Sequence, residues 1–452
     1  MTSIHTLEHA VRIIFRSKER LRDQPRGLDE HVRDITPTRN LLLATGLLDT
    51  PREYCVVTGS KGKGSTTAMT AKILQELGHT VGMITSPHLV HWTERIRVNG
   101  KAIPEADFVR ILEHLLPWIE AEEARLPEDR YISPQGIFLL MALHYFNEQG
   151  VNAAVVEVGR GGRYDDMSLV PNKVSLFTPI FAEHVQYMGP VDRIAWHKAG
   201  IIKQNGFAYS VAQAPEVLDI LQREADSKDA EFFWFSALDR GEFIAETPAG
   251  LLCRIGRYGE IELPFYGRYQ IDNATLAVQA AGNMHARLGG IPHASPEYVE
   301  RVRSALSTVR WPGRLQKLQD QPPVYVEGAI NPLSVQSMLE SLKTRLVSPV
   351  ITIAGVPQDR EMAEVYRLLA AESDLLILTE NHINPNIRFP RPQDALALAG
   401  QFHKNVHYRP TLAEAFALAK EHAWDNSTVL MAVAQPLVGE AMLLWGVDTL
   451  NL

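Results

Sequence analysis

Three things are scarce in this sequence: cysteine, long apolar runs and positive charge. Its 452 residues include two cysteines, Cys55 and Cys253, which excludes a disulfide framework and a cysteine-based metal site. No apolar run approaches the roughly 20 residues that span a bilayer, and residues 1–19 lack the apolar core of a signal peptide. Lys and Arg number 45 against 53 Asp and Glu, a net charge of −8, which argues against nucleic acid as the main partner.

These absences predict a cytoplasmic protein with neither a membrane nor a nucleic-acid partner, and we expect a monomer or a weak oligomer. The composition that remains is ordinary for a globular protein, with 45% hydrophobic and 22% charged residues. At roughly 150 residues per domain, the length favours two or three domains.

In the first half of the chain, segments with a strand pattern alternate with segments of helical spacing. This alternation predicts a parallel sheet with helices on both faces. The predicted strands are residues 54–58, 80–85, 152–158 and 174–181, and the predicted helices are residues 6–23, 68–77 and 134–149.

The character of the chain changes after about residue 205. Short apolar alternations at 232–235, 251–255 and 260–263 predict a β-rich insertion within 205–265, and residues 271–309 return to helix. The turn-rich segment 311–314, Trp-Pro-Gly-Arg, is a candidate linker. Beyond it, predicted strands at 324–327, 350–354, 375–379 and 428–433 indicate a second α/β domain. We therefore predict an N-terminal domain over 1–311 and a C-terminal domain over 312–452.

Residues 59–66, Gly-Ser-Lys-Gly-Lys-Gly-Ser-Thr, separate a predicted strand from a predicted helix. This is the setting of a phosphate loop, in which glycines let backbone N–H groups approach phosphate and the helix N-terminus adds partial positive charge. Lys63 can reach the terminal phosphates, and either Ser65 or Thr66 can offer a hydroxyl to phosphate or magnesium. The alternative is a glycine-rich turn that only caps a helix. The predicted nucleotide-binding residues of this loop are Gly59, Gly62, Lys63, Gly64, Ser65 and Thr66.

Together with segments further along the chain, this motif resembles the folylpolyglutamate synthase and dihydrofolate synthase branch of the Mur ligase superfamily. The resemblance extends over nearly the whole chain from about residue 55. The segments that carry it lie at 59–66, 85–89 (Thr-Ser-Pro-His-Leu), 157–163 (Glu-Val-Gly-Arg-Gly-Gly-Arg), 183–184 (Glu-His), 198–203 (Lys-Ala-Gly-Ile-Ile-Lys), 312–314 (Pro-Gly-Arg) and 328–332 (Gly-Ala-Ile-Asn-Pro).

The resemblance implies an α/β fold in two parts. A Mur-ligase-type phosphate-loop ATPase domain, with a parallel-rich sheet and a small β-rich insertion, precedes a smaller Rossmann-like α/β domain, and the active site lies between them. The implied reaction uses ATP to convert a carboxylic acid, folate-type in this branch, into an acyl phosphate. An amino group, usually that of L-glutamate, then attacks the carbonyl carbon. The implied cofactors are ATP and two Mg²⁺ ions.

The same resemblance assigns the metal ligands. It makes Glu157, His184 and Ser86 ligands of one magnesium ion. A carboxylate near the end of a buried strand costs several kcal/mol unless it is paired or metal-bound, and the alternative for Glu157 is a strand-end residue facing solvent. Lys198 aligns with a lysine that the family often carries as a carbamate, which would ligate a second magnesium ion. The alternative for Lys198 is a surface lysine at a helix end.

Three further residues match positions that contact the nucleotide. Asn273 and Arg314 match nucleotide-binding residues, and Arg314 lies in the predicted linker, where a guanidinium can clamp the γ-phosphate when the domains close. Glu327 replaces an aspartate that usually holds ribose or phosphate from the second domain. The implied catalytic residues are Lys63, His184 and Lys198.

The sequence departs from the family pattern mainly around the reaction centre and the amino-acid pocket. The family usually has histidine where this chain has Ile330, and a hydroxyl-bearing turn where it has Ala434. Between Gly-Gly-Arg at 161–163 and residue 168, only the first aspartate, Asp165, keeps the family identity. We expect the segment 26–33 and the insertion to shape the acid pocket.

These departures leave three functions open. The first is ligation of glutamate to a folate-type acid. The second is the same ATP-dependent chemistry with another acid or another amine. The third, from a different class, is a catalytically inactive nucleotide-binding subunit, which the retention of Lys63, Ser86, Glu157, His184 and Lys198 argues against.

Overall fold

The computed structural model describes residues 4–21, 27–236, 240–384 and 387–452. Within these residues the chain forms two α/β domains, which confirms the predicted fold class. Arg26, at the start of the segment predicted to shape the acid pocket, lies outside the described residues, as do the last two residues of the predicted helix at 6–23.

The first domain is organised around a parallel-rich sheet. Its strands are β1 (Glu53–Thr58), β2 (Val81–Ile84), β3 (Ile96–Val98), β4 (Lys101–Ala102), β5 (Ala153–Glu157), β6 (Val174–Phe177), β7 (Phe207–Ser210) and β8 (Glu231–Trp234). In the described part of the chain their order is β4-β3-β2-β5-β1-β6-β7-β8, with β3 and β4 antiparallel at one edge. Strands β1, β5 and β6 are almost wholly buried, because helices cover both faces of the sheet.

Helices pack on both faces of this sheet. The helices of this domain are α1 (Leu7–Glu19), α2 (Asp29–Val32), α3 (Thr36–Thr45), α4 (Lys63–Glu76), α5 (Glu105–Glu123), α6 (Pro134–Glu148), α7 (Val185–Met188), α8 (Val191–Ala199), α9 (Pro215–Asp226), α10 (Gln270–Arg287) and α11 (Pro296–Thr308). Helix α4 begins at Lys63 rather than at the predicted residue 68, because the phosphate-loop motif itself forms the first helical turn. The helical stretch predicted at 271–309 consists of two helices, α10 and α11.

The predicted β-rich insertion is smaller than expected. In the described residues, β9 (Glu242–Thr247), β10 (Gly250–Arg254) and β11 (Glu260–Leu263) form a three-stranded antiparallel sheet. Residues 205–235, however, belong to the main sheet, since β7 pairs parallel with β6 and β8 pairs parallel with β7. Strand β8 is largely exposed because it lies at the edge of the sheet. Its mixture of apolar and polar residues therefore resembled that of a strand in an antiparallel insertion.

The second domain is a smaller doubly wound sheet. Its strands are β12 (Gln316–Asp320), β13 (Pro323–Glu327), β14 (Val350–Gly355), β15 (Leu375–Leu378), β16 (Val406–Tyr408) and β17 (Thr428–Val433), and its helices are α12 (Pro332–Leu342), α13 (Met362–Ala371), α14 (Pro392–Ala399), α15 (Leu412–His422) and α16 (Gln435–Leu444). Over its described residues the strand order is β12-β13-β17-β14-β15-β16. Strand β12 is antiparallel to β13, and the other strands are parallel.

Contacts beyond the connecting turn at 311–315 hold the domains together. The C-terminal residues return to the first domain, where Arg97 donates to the Leu450 carbonyl at 2.8 Å and the Thr449 hydroxyl donates to Glu94 at 2.8 Å. Gln435 donates through Nε2 to the carbonyl oxygens of Pro87 and His88 at 3.3 and 3.2 Å. Among the helices that can be described, none combines the length and apolar character of a membrane span.

Candidate active site

The phosphate loop, residues 59–66, lies at the carboxyl end of β1 and continues into α4. Its glycines are required by close contacts. A Cβ on Gly59 would lie 1.8 Å from the Thr178 hydroxyl oxygen, and one on Gly62 would lie 2.6 Å from Oδ1 of Asn273. Gly62 also has φ +89°, a left-handed conformation that other residues rarely adopt. The loop is therefore a tightly held turn ahead of the N-terminus of a 14-residue helix, and this end of a helix attracts anions.

Helix α10 holds the two hydroxyls of the loop differently. Gln270 donates to the Ser65 oxygen at 3.3 Å, and the Thr66 hydroxyl donates to Oδ1 of Asn273 at 3.2 Å. The two amides are joined, since Asn273 donates to Oε1 of Gln270 at 2.8 Å. Ser65 and Asn273 line the interdomain cavity, whereas Thr66 is buried behind the loop. Of the two hydroxyls considered from the sequence, Ser65 is therefore the one that faces the cavity.

Two lysines converge on one carbonyl oxygen of the loop. Lys63 donates to the Gly59 oxygen at 3.0 Å and Lys198 donates to the same oxygen at 2.7 Å. Lys198 is 1% exposed, which excludes a surface lysine, and its Nζ lies 3.5 Å from Oε1 of Glu183. Burial lowers the pKa of Lys198 to about 8 despite the attraction of Glu183. A substantial fraction of this amine is therefore neutral just above neutral pH.

Glu157, at the end of β5, faces the cavity from the first domain and is 5% exposed. Its Oε2 accepts a hydrogen bond from the Ser86 N–H at 3.1 Å, and the Ser86 hydroxyl oxygen accepts one from Gln135 at 3.1 Å. Burial raises the pKa of Glu157, and the positive charge of Lys63 opposes this shift. The carboxylate is thus neither exposed to bulk solvent nor matched by a direct ion pair in the described residues, and a cation beside it would relieve its desolvation.

His184 stands at the start of α7 with φ +52°, and it lines the same cavity. Burial lowers its pKa to about 4, although Glu183 opposes the shift. The imidazole is therefore neutral at pH 7 and has a lone pair available.

Arg314, Glu327 and the segment after β13 approach the cavity from the linker and the second domain. Arg314 donates to the Gly313 carbonyl at 3.0 Å, which leaves other guanidinium N–H groups for a ligand. Glu327 accepts a hydrogen bond from the Gly328 N–H at 2.7 Å and another from the Tyr269 hydroxyl. Ile330, the departure from the family histidine, is half-buried beside them.

These groups surround one interdomain cavity of about 660 Å³. It contains most of the predicted site residues, and Gly59, Thr66 and Lys198 lie just behind its wall. The predicted residues that line it are Gly62, Lys63, Gly64, Ser65, Ser86, Glu157, His184, Asn273, Arg314, Glu327, Ile330 and Ala434. Residues as far apart in sequence as Ser60 and Gln435 thus meet in one site.

Sequence reasoning overlooked several residues of this site. Lys61 lines the cavity, and its position inside the phosphate-loop motif was a signal that could have identified it. Tyr269 and Gln135 had no recognisable signal in the sequence. Among the residues that the structure describes, no three His, Cys, Asp or Glu side chains cluster as a metal site. The predicted ligand set has two such residues, Glu157 and His184, together with the Ser86 hydroxyl. The two oxygen donors, from Glu157 and Ser86, fit Mg²⁺, which prefers oxygen ligands, and the His184 imidazole adds a nitrogen donor.

Comparison with known proteins identifies the class. Residues 57–281 match the Mur ligase middle domain, and residues 313–434 match the Mur ligase glutamate ligase domain. The two domains are therefore those of the Mur ligases, and the cavity described above lies between them.

Individual relatives identify the family. The chain is 32% identical over 311 residues to dihydrofolate synthase/folylpolyglutamate synthase of Bacillus subtilis, covering 66% of this chain and 69% of that protein. It is 29% identical over 361 residues to folylpolyglutamate synthase of Lacticaseibacillus casei, covering 77% and 81%. The structure of Mycobacterium tuberculosis folylpolyglutamate synthase complexed with ADP superposes with a TM-score of 0.83 at 25% identity, covering 97% of this chain and 99% of that one. The chain belongs to the dihydrofolate synthase/folylpolyglutamate synthase family.

Proposed function

We propose that this protein is an ATP-dependent ligase that joins L-glutamate through its amino group to a folate-type carboxylic acid. One observation carries this proposal: the phosphate loop, Glu157 and His184 face Arg314 and Glu327 across one cavity. That arrangement can hold a triphosphate at one wall and bring a second substrate to its terminal phosphate from the other. The names of the relatives supply the substrates, since they are folylpolyglutamate and dihydrofolate synthases.

The phosphate loop would bind the nucleotide. Backbone N–H groups at the start of α4 and the Lys63 amine would contact the phosphates, and Asn273 and Arg314 would contact the nucleotide from either side. Glu327, already oriented by Tyr269 and Gly328, would accept hydrogen bonds from ribose hydroxyls. Closure of the second domain would then exclude water from an acyl phosphate that water could otherwise hydrolyse.

Ser86, Glu157 and His184 would hold a magnesium ion, and the neutral imidazole and the desolvated carboxylate fit that role. When bound, the ion neutralises charge on the transferring phosphoryl group. Lys198, as a carbamate, would ligate a second ion. Its pKa of about 8 favours this modification, because CO₂ reacts with the neutral amine.

The reaction proceeds in two transfers. A carboxylate oxygen of the acid forms a bond to the γ-phosphorus as the bond to ADP breaks, giving an acyl phosphate and ADP. The amino nitrogen of glutamate then bonds to the acyl carbon, loses a proton, and phosphate departs with the electron pair of the C–O bond. Little covalent chemistry falls to the protein, so positioning and charge neutralisation dominate catalysis.

A second candidate keeps this mechanism and changes the acid or the amine. Ile330 and Ala434, both in the cavity wall, favour it, because neither side chain can hydrogen-bond to an amino acid. An inactive nucleotide-binding subunit has less support, since each predicted catalytic and metal-binding side chain lies in the cavity or directly behind its wall.

The decisive experiment measures ADP release with a panel of pterin-containing acids and other carboxylates, each with and without L-glutamate. We expect release that depends on both a folate-type acid and glutamate, with the amide product visible by mass spectrometry. Release with a different acid or amine alone would select the second candidate. Tight ATP binding without release in any combination would select the inactive subunit.

The boundary between domains at 311/312 is part of this proposal, as are the cytoplasmic location and the monomeric or weakly oligomeric state. The turn at 311–315 separates α11 from β12 and supports the boundary. Limited proteolysis should cut first in this region, and fragments cut elsewhere would argue for another division.

A further inference from the structure

Lys61 differs from the other lysines of the phosphate-loop region in having no hydrogen-bond or ion-pair partner among the described residues. Lys63 and Lys198 each donate to the Gly59 carbonyl. The Lys61 amine, in contrast, forms no hydrogen bond or ion pair with any described residue. Its side chain is exposed, and the space into which it is exposed is the interdomain cavity.

The backbone on either side of Lys61 is held firmly. The Ser60 hydroxyl donates to the Phe181 carbonyl at 3.0 Å and accepts from the Phe181 N–H at 3.1 Å, while the Ser60 N–H donates to the Pro179 carbonyl at 2.7 Å. Gly62 packs against Asn273. The base of Lys61 is therefore fixed at the cavity wall, while its flexible side chain leaves the amine free to reach a ligand in the cavity.

The carboxylates near Lys61 do not neutralise its charge through a direct ion pair in the described residues. The pKa of Lys61 is lowered overall, first by desolvation between the protein walls that surround the open cavity and then by Lys63 and Arg314, while Glu183 and Glu327 oppose the shift. Glu183 is already paired with Lys198, and Glu327 already accepts two hydrogen bonds. The region therefore contains three cations, Lys61, Lys63 and Arg314, whose charges are not cancelled by direct ion pairs in the described residues, and that excess suits a multiply charged anion.

We propose that Lys61 is a second phosphate-binding lysine of the loop, which contacts the terminal phosphoryl group as it moves from ATP to the acid. It would supply from the first domain the positive or hydrogen-bonding group that Ile330 cannot supply from the second. The proposal rests on the proposed ligase function only for the transfer step, because contact with the terminal phosphate of bound ATP does not require an acid.

The test compares Lys61→Met, Lys61→Arg and the control Lys72→Met. Lys72 lies on the same loop-to-helix unit but pairs with Glu76 at 2.7 Å on the helix surface. Calorimetry measures affinity for ADP and for a non-hydrolysable ATP analogue. Because Lys61 would contact only the terminal phosphate, Lys61→Met should bind ADP within about twofold of wild type and the analogue about 10-fold more weakly. Lys61→Arg should keep most of the analogue affinity, and Lys72→Met should change neither.

A rescue experiment addresses the transfer step. In acid-dependent ADP release, Lys61→Met should lower kcat about 10- to 100-fold, and adding Ile330→His should recover part of that loss. Equal weakening of ADP and analogue binding, or no change in either, would overturn the proposal, and so would full activity in Lys61→Met. If wild-type protein releases no ADP with any acid, the proposed ligase function fails, while the nucleotide affinities still decide the role of Lys61. If Lys61→Met does not fold, Lys61→Arg is compared with wild type. A Lys61→Arg variant that loses equal affinity for ADP and for the ATP analogue would contradict a charge contact with the terminal phosphate.

Discussion

The two walls of the interdomain cavity differ in how their polar groups are organised. On the first-domain wall, Ser65 and Asn273 are hydrogen-bonded through Gln270, and Glu157 is held by the Ser86 backbone. On the second-domain wall, Ile330 and Ala434 contribute apolar surface. The difference teaches that, under the proposed function, the groups for phosphate and metal are pre-organised in the first domain, while the departures from the family pattern lie on the side where the amine would enter. The four predictions below test this comparison, beginning with the largest expected effect.

Removing the Lys63 amine tests the first wall most directly. Lys63→Met should lower kcat/KM for ADP release about 100- to 1,000-fold, because a pre-organised charge next to the transferring phosphate is lost. Steady-state kinetics measures the effect, with Lys72→Met as the matched lysine control. Activity within a few-fold of wild type would refute the phosphate-loop assignment.

Glu157 tests whether the first wall holds a metal. Glu157→Gln keeps the size of the side chain and removes its charge, so we expect about a 100-fold loss of kcat and a marked rise in the Mg²⁺ concentration needed for half-maximal activity. A Mg²⁺ titration of the rate measures both. Glu105→Gln, at an exposed helix start, serves as the control. An unchanged magnesium requirement would mean that Glu157 acts only in the fold.

Gln435 joins the second wall to the first. Gln435→Ala removes its hydrogen bonds to the Pro87 and His88 carbonyls, and each such bond is worth about 1 kcal/mol. We expect kcat/KM to fall about 3- to 10-fold through misplacement of the domains, and ATP affinity to fall by a smaller factor, because the phosphate loop stays intact while Glu327 is displaced. The exposed Gln401, changed to alanine in the same domain, should have no effect. A loss of ATP affinity in Gln435→Ala as large as the loss of kcat/KM would show instead that the residue acts on nucleotide binding.

Ala434 offers the smallest and most specific test. It occupies the N-cap of α16 with φ −62° and ψ 153°, and no side chain caps that helix. Ala434→Ser supplies a capping oxygen, so the free energy of unfolding should rise by about 1 kcal/mol, as measured by denaturant titration. If the second wall also lacks a glutamate contact, the KM for glutamate should fall by a small factor. The wild-type alanine is the reference, since glycine is itself a favoured N-cap residue, and a serine variant no more stable than wild type would contradict the capping argument.

Several elements were predictable because their determinants are local. The strand before the phosphate loop, the loop and the helix after it follow from an apolar run, a glycine-rich motif and helical spacing within about 25 residues. The strands β12 and β16 were missed, because they lie at sheet edges where few of their residues are buried. The assignment of residues 231–234 to an insertion was wrong for the same reason, since an edge strand has one largely exposed face.

The candidate site shows the same division between what local sequence predicts and what depends on tertiary packing. The identities of Lys63, Glu157 and Arg314 could be picked out from motifs, but their environment could not. Lys198 is buried against the Gly59 carbonyl, a contact across 139 residues. The Thr66 hydroxyl is held by Asn273, 207 residues away, which leaves Ser65 as the hydroxyl that faces the cavity. Glu327 is oriented by Tyr269, a contact across 58 residues. Such contacts arise only when sheets and helices pack.

The sequence by itself determined that few cysteines and no long apolar run would be available, and that a phosphate loop would join a strand to a helix, because these properties follow from composition and neighbouring residues. The tertiary structure decided which cations remain free. Lys63 and Lys198 share one carbonyl oxygen, whereas Lys61, two residues from Lys63, has its amine exposed in the cavity. Whether a charge is paired depends on groups brought together from distant parts of the chain, and that information is absent from the spacing of the motif.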